Sequence, residues 1–312
     1  MKRVAASFIA WLPASVLRLL VRQAAIAHPV LKTPLFERFL TGVARGISDD
    51  HELVETNMGI CSHLRCKLPL AKSSYVFGRA QNSLSDRATC DLVRHLSVDC
   101  SNFVDVGANE GLFTFAVYAL RGKIDIHFFE PDECLYERLQ QNLLANNIRV
   151  NGSKAAVARQ SGYGTFFKNL DDDCSGSLTN YFSRTHRTRP EAVRTIALED
   201  YFAWQNIDKA IVKIDVEGAG SDVWAGATQA IPKITYLIIE IIGPEVKSNL
   251  PQRIIRETGW EAYYIKDYDL IRSADGEFTY VPPFWNWLFC NLSPAALAER
   301  LSGTTFRVAA RT

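Results

Sequence analysis

Residues Asn102 to Gly111 read N-F-V-D-V-G-A-N-E-G. Phe103, Val104 and Val106 predict a short, fully buried parallel strand, and Gly107 to Gly111 the turn that feeds a helix over Leu112 to Arg121. A turn of this kind sets backbone N–H groups and a helix N-terminus at the carboxyl edge of a sheet, where a polar or negatively charged ligand group is favoured. Asp105 comes before the first glycine, so a carboxylate closes the strand. It can meet an ammonium group, while the helix start behind it suits a carboxylate. One amino-acid moiety carries both.

A second buried strand is predicted over Ile124 to Phe129 and ends in Glu130-Pro131. That sets an acid at the next strand tip, where nucleotide-binding βαβ units hold ribose hydroxyls. An amino acid joined to a nucleoside describes S-adenosylmethionine, the expected cofactor. The rival ligand, the nicotinamide dinucleotide of an oxidoreductase, needs a second glycine so that the pyrophosphate can approach the backbone. Asn109 holds that place, in Gly-x-Asn-x-Gly rather than Gly-x-Gly-x-x-Gly.

Further along, Ala210 to Val216 predicts another buried strand, which ends in Asp215-Val216-Glu217-Gly218 and pushes two carboxylates toward the edge that holds Asp105 and Glu130. A helix over Ser221 to Ala230 and a strand over Thr235 to Ile242 follow. That strand carries Glu240 in an apolar run, so the acid lies near the exposed strand end or faces the site. Helices over Asp132 to Asn146 and Ser248 to Thr258, and strands over Ile148 to Val157, Val193 to Leu198 and Trp260 to Ile265, complete an alternation of strand and helix. This predicts an α/β fold with a mostly parallel sheet and helices on both faces, binding ligands outside its carboxyl ends. Gly162 to Leu170 reads as a hairpin-like addition. The polar, basic loop Tyr181 to Pro190 reads as a lid, an acceptor contact for an anionic substrate or plain exposed surface.

With 35 basic and 34 acidic side chains in 312 residues, there is no overall electrostatic drive toward nucleic acid. Seven cysteines, an odd number scattered through apolar segments, read as reduced thiols of a cytoplasmic protein. Cys61, His63 and Cys66 lack the second pair that a structural zinc site requires. Residues 1–27 are too interrupted by Pro13, Arg18 and Arg22 to span a membrane or to make a clean secretory signal. They predict an amphipathic helix that docks on the protein's own body or on a membrane surface, with a signal cleaved after Ala25-Ile26-Ala27 as the third alternative. It opens a helical extension over 1–60, with a further helix over Leu31 to Leu53. Residues 61–100 form a lead-in that covers the acceptor site, with strand character over Met58 to Phe77 and a helix over Asp86 to Leu96 capped by Ser85. Residues 101–292 form the main domain and 293–312 a tail.

D-V-G-A-N-E-G (105 to 111), F-E-P (129 to 131), T-I-A-L-E-D-Y (195 to 201) and I-V-K-I-D-V-E-G-A (211 to 219), in this order and spacing, resemble the FkbM-type methyltransferases. The resemblance covers about residues 100 to 290 and implies a seven-stranded Rossmann-like sheet, S-adenosylmethionine as methyl donor and O-methylation of sugars or natural-product hydroxyls. It implies that Asp105, Gly107, Ala108, Asn109 and Gly111 line the methionine end, Glu130 the ribose, and Asp215 and Glu217 the reacting face. Ser175-Gly176-Ser177-Leu178 looks like the family's serine-containing loop near the site. Where the family pattern has an acid, position 220 is Gly, and Glu199 replaces an Asp.

Methyl transfer from a sulfonium needs an aligned acceptor whose proton is removed as attack proceeds. Asp215 and Glu217 are the candidates, as a base or as ligands of a divalent metal such as Mg, and His186 is an alternative base. Their bland reading is that both acids cap the following turn. His127, inside an apolar strand, reads as a satisfied core histidine, and Lys213 as the partner of an acid. The expected activity is O-methyl transfer to a small-molecule, glycan or glycolipid hydroxyl, against a non-catalytic S-adenosylmethionine-binding regulatory or assembly module. Neither the acceptor's identity nor the oligomeric state has a signature in the sequence.

Overall fold

The computed structural model describes residues 53–58, 61–69, 84–120, 122–171, 176–181, 183, 185–273 and 285–309, with side chains omitted for 53–69 and 84–86. The amphipathic helix expected in 1–27 lies outside them, as does all of the Leu31 to Leu53 helix but Leu53, which begins a strand. The chain divides into a smaller unit, Met1–Arg87 with Gln141–Ile148, and a larger one, Ala88–Gln140 with Arg149–Thr312. In the smaller unit β1 (Leu53–Met58) and β2 (Cys61–Pro69) form an antiparallel hairpin, Leu53 opposite Pro69 and Thr56 opposite Cys66.

Helix α1 (Leu84–Ser97) begins one residue before Ser85, which therefore lies inside the helix rather than at its cap. Then come β3 (Asn102–Val106), α2 (Leu112–Tyr118), β4 (Asp125–Phe129), α3 (Glu133–Ala145), β5 (Asn151–Ser153), β6 (Ala156–Val157), β7 (Gly162–Asn169) and β8 (Thr188–Ile196). The second half runs α4 (Leu198–Trp204), β9 (Ala210–Ile214), α5 (Gly220–Ala225), β10 (Ile234–Glu240), α6 (Gly243–Lys247), α7 (Leu250–Thr258), β11 (Glu261–Lys266), β12 (Asp269–Arg272), β13 (Asn286–Cys290), α8 (Pro294–Arg300) and β14 (Arg307–Ala309).

Nine strands make the central sheet, in the order β14-β12-β11-β13-β10-β9-β3-β4-β5. The five from β5 to β10 run parallel, and β13 returns antiparallel between β10 and β11. The strands from β5 to β11 make up the expected number of seven, but β13 among them was not expected as a strand, and the strand expected over Val193 to Leu198 is the end of β8, outside this sheet. β12, joined to β11 by a tight turn, and the parallel β14 add two at the far edge, so residues 293–312 supply a helix and a strand rather than a tail. The strand expected over Ile148 to Val157 is two: β5 ends at Ser153, and β6 joins a separate three-stranded sheet, β6-β8-β7.

The strands bury both faces, which is why they read as continuous apolar runs. Alternation sorts their side chains. Phe103, Ile211, Tyr236 and Ile238 pack with Leu92 and Leu96 of α1 and Leu297 of α8. Val104, Val106, Val212, Ile214, Leu237 and Ile239 pack on the other side with Phe202 of α4, Trp224 of α5 and Ile254 of α7. His127 is buried in this framework, its ring nitrogens 3.1 Å from the Tyr201 hydroxyl and 3.3 Å from Asn102 Oδ1, the satisfied core histidine that was expected. From β3 the chain moves to β4 on one side and later returns to β9 on the other. The order therefore reverses at β3, the switch point where open α/β sheets bind ligands.

Candidate functional site

The turn after β3 is fixed by its neighbours. Gly107, at φ +83°, and Ala108 both donate their N–H to the Phe129 carbonyl at 3.0 and 2.9 Å. Asn109, also left-handed at φ +49°, donates its N–H to Glu130 Oε2 at 2.8 Å, and Gly111 donates to the Ala108 carbonyl at 2.7 Å. The amides at 107, 108, 109 and 111, expected to face a ligand, are thus spent on the turn itself. A Cβ on Gly107 would stand 1.9 Å from the Asp215 carbonyl oxygen, and one on Gly111 2.4 Å from Leu139 Cδ1. Both positions require glycine, for conformation and for space.

What the turn leaves open are acceptors. Asp105, 1% exposed, takes the Thr114 N–H and hydroxyl on Oδ2 at 3.0 and 2.7 Å. Its Oδ1 is buried with no hydrogen-bond partner among the described residues, and so is Asn109 Oδ1. Burial pushes the Asp105 carboxyl up to about 6, against the Thr114 hydroxyl and the Lys213 charge. Glu130 accepts the amides of Asn109 and Asp132 on its two oxygens, and burial pushes its carboxyl up to about 7. The Glu110–Arg138 ion pair at 2.7 Å ties the turn to α3.

Beyond β9, Glu217 and Gly218 are both left-handed, at φ +52° and +94°. This fold-back brings Asp215, Glu217 and Glu240 together, one oxygen of each within 4.8 Å of the others. Glu240, the last residue of β10, takes both placements open to it, at the strand end and facing the site, with Oε2 buried and without a hydrogen-bond partner among the described residues. Burial raises its carboxyl well above the usual range, and the charges of Asp215 and Glu217 add to the effect, which favours the neutral acid. Lys213 is fully buried, a register partner of Asp105 on the adjacent strand. Its ammonium donates to Asp215 Oδ2 at 3.0 Å and to the Ile214 carbonyl at 3.2 Å, and lies 5.1 Å from the centre of the Phe113 ring.

The two constellations meet, since the Asp215 N–H donates to the Val106 carbonyl at 2.9 Å, next to Gly107. Ser177 is also here, its hydroxyl donating to the Val216 carbonyl at 3.0 Å. His186 lies just before β8, its Nδ1 2.9 Å from Thr185 Oγ1, and it is not in the group that Asp215, Glu217 and Glu240 form. Two contacts had no sequence signal. Thr114 grips Asp105 from nine residues away, and Glu245, buried in α6, accepts the Gly220 N–H at 2.9 Å. A Cβ at position 220 would lie 3.1 Å from Glu245 Oε1, so a carboxylate from α6 stands beside the position where the family pattern has its acid.

Residues 105–264, just over half of the chain, match the family described as Methyltransferase FkbM domain. The 2-O-methyltransferase NoeI of Sinorhizobium fredii is 28% identical over 166 residues, covering 49% of this chain and 68% of that protein. Among solved structures, the SAM-dependent methyltransferase from Agrobacterium tumefaciens is similar at 7% identity and a TM-score of 0.39, over 76% of this chain and 69% of that one. The Pyrococcus abyssi tRNA (uracil-54, C5)-methyltransferase, in complex with S-adenosyl-L-homocysteine, is similar at 12% identity and a TM-score of 0.38. The likeness covers 76% of this chain but only 44% of that longer one.

Proposed function

The chain belongs to the FkbM-domain methyltransferases, and on that footing we propose that it transfers a methyl group from S-adenosylmethionine to a hydroxyl of a carbohydrate, glycolipid or secondary metabolite. The observation that carries this reading is the contact of Gly107 with the Asp215 backbone, which joins the turn after β3 to the acid cluster. The unpartnered Asp105 Oδ1 and Asn109 Oδ1 fit the ammonium end of an amino acid, whereas a pyrophosphate would find acceptors there instead of donors. In this reading Asp105, Gly107, Ala108, Asn109 and Gly111 hold the methionine end and Glu130 the ribose.

S-adenosylmethionine supplies, when bound, a methyl already activated on a sulfonium. The chain's own task is to orient the acceptor and take its proton. Asp215, at the tip of β9, is the proposed base, with Glu217 beside it to orient the hydroxyl. The relative that is a 2-O-methyltransferase supports oxygen as the acceptor atom. A second reading, favoured by the approach of three carboxylate oxygens within 4.8 Å, has Asp215, Glu217 and Glu240 hold a divalent cation such as Mg, which lowers the hydroxyl's pKa. The non-catalytic module loses its one support, because Glu245 puts a carboxylate beside Gly220.

Calorimetry with S-adenosylmethionine and transfer of labelled methyl to glycan and lipid extracts test the division of roles. Asp105→Ala and Glu130→Ala are expected to weaken donor binding about tenfold or more, while Asp215→Ala spares binding and lowers turnover about a hundredfold. Equal loss of binding in all three overturns it, and a requirement for added Mg after chelation selects the cation reading. No helix among the described residues is long and apolar enough to cross a membrane. A cytoplasmic location with peripheral membrane contact through residues 1–27 completes the proposal, and fractionating a chain that lacks them tests it.

A further inference from the structure

Between β7 and β8, residues 176–181 run along the tips of β9 and β10, and alternate residues make the contacts. The Ser177 hydroxyl donates to the Val216 carbonyl, Thr179 Oγ1 lies 3.4 Å from where a Cβ on Gly218 would be, and the Tyr181 phenol oxygen lies 2.6 Å from where a Cβ on Gly243 would be. The segment bends at 178 and 179, where the Thr179 N–H donates to the Ser177 hydroxyl oxygen at 3.2 Å, and its alternate residues meet the same support. Its supports are the two connections that hold Glu217 and follow Glu240. Gly243 is not among the glycines with left-handed φ, so backbone conformation does not account for it. The Tyr181 ring does, since any side chain at 243 would collide with it. Tyr181 remains 41% exposed, its phenol held against the connection that follows Glu240.

The surroundings restrict what can lie on that ring. The Asp215 and Glu217 carboxylates, the Glu240 carboxyl and the hydroxyls of Ser177 and Thr179 concentrate hydrogen-bonding groups here. A hydrocarbon or fused-ring acceptor would desolvate them and return no donors. Among the described residues the arginines nearest this segment, Arg187 and Arg189, are already paired with Asp171 and Glu191, which favours an uncharged ligand over a phosphate. A polyhydroxylated ring offers hydroxyl donors at its rim and a C–H face for the aromatic ring. We propose that Tyr181 is an acceptor-binding residue that stacks on the C–H face of a neutral saccharide ring, and that position 243 is glycine to admit it. This assignment rests on the methyltransferase reading and deepens it.

The test applies the full chain, loaded with S-adenosylhomocysteine, to a printed array of neutral mono- to tetrasaccharides, then measures dissociation constants for the sugars bound. Wild type is expected to bind at least one, Tyr181→Phe within about twofold of it, and Tyr181→Ala and Gly243→Ala about tenfold more weakly. S-adenosylmethionine affinity should be unchanged in Tyr181→Ala. Absence of any bound saccharide in wild type, or Tyr181→Ala binding like wild type, overturns the assignment. In either case, methyl transfer to a non-saccharide extract would leave the methyltransferase reading standing, while failure of wild type to bind the donor would remove that reading by itself.

Discussion

Gly107→Ala puts the junction between the two halves of the site to a quantitative test. An alanine methyl would sit 1.9 Å from the Asp215 carbonyl oxygen and 2.9 Å from its carbonyl carbon, where carbon–oxygen contact needs roughly 3.3 Å. The obstacle is backbone at the end of β9, so β3 and β9 must part by more than about 1 Å. The control is Gly259→Ala: Gly259 is also left-handed, at φ +68°, with nothing within 4 Å of its Cβ position. Left-handed backbone costs alanine about 1–2 kcal/mol at either site, and forced overpacking adds about 1–3 kcal/mol at Gly107 alone. Urea unfolding followed by tryptophan fluorescence should show Gly107→Ala about 2–3 kcal/mol less stable than Gly259→Ala at unchanged m-value. Calorimetry should show its donor binding impaired as well. Equal destabilisation of the two variants refutes the claim that the turn lies against the Asp215 backbone.

Glu130 should make stability fall as pH rises. Its carboxyl titrates near 4.5 when free and at about 7 in the folded chain, so the folded state holds the proton more tightly. The resulting stabilisation is complete below about pH 4.5 and lost as pH climbs through 7, a change on the order of 3 kcal/mol that Glu130→Gln should flatten in pH-dependent melts. An unchanged curve in the variant would count against it. Lys213→Met leaves Asp215 facing a buried apolar side chain and should cost about 3 kcal/mol in urea unfolding. Adding Asp215→Asn should recover about 1 kcal/mol of that, and a strictly additive double variant would dismiss the pairing.

The gathering of the acids at one edge was legible because an acid at the end of an apolar run is conspicuous. Asp105, Glu130 and Asp215 each close a strand whose residues are buried on both faces, and the parallel ladder then sets all three tips on one edge. Glu240 was legible only as a choice between two places, and as the last residue of β10 it takes both, at the strand end and within reach of Asp215 and Glu217. Other features depend on contacts between distant residues, which no periodicity announces. Thr114 reaches back to Asp105, Glu245 reaches Gly220, and the turn turns its amides inward because the Phe129 carbonyl stands within reach of two of them. Three strands of the sheet, β12, β13 and β14, escaped notice, and β14 for a reason of its own: it is three residues long and is a strand only because β12 offers it an edge.

The separate pairing of β6, β7 and β8 makes the enzyme's periphery exchangeable. None of these strands shares a ladder with the nine-stranded sheet, so the stretch between Asn169 and Thr188 can be lengthened, shortened or grafted from a relative without breaking a hydrogen bond of the strands that end in Asp105 and Asp215.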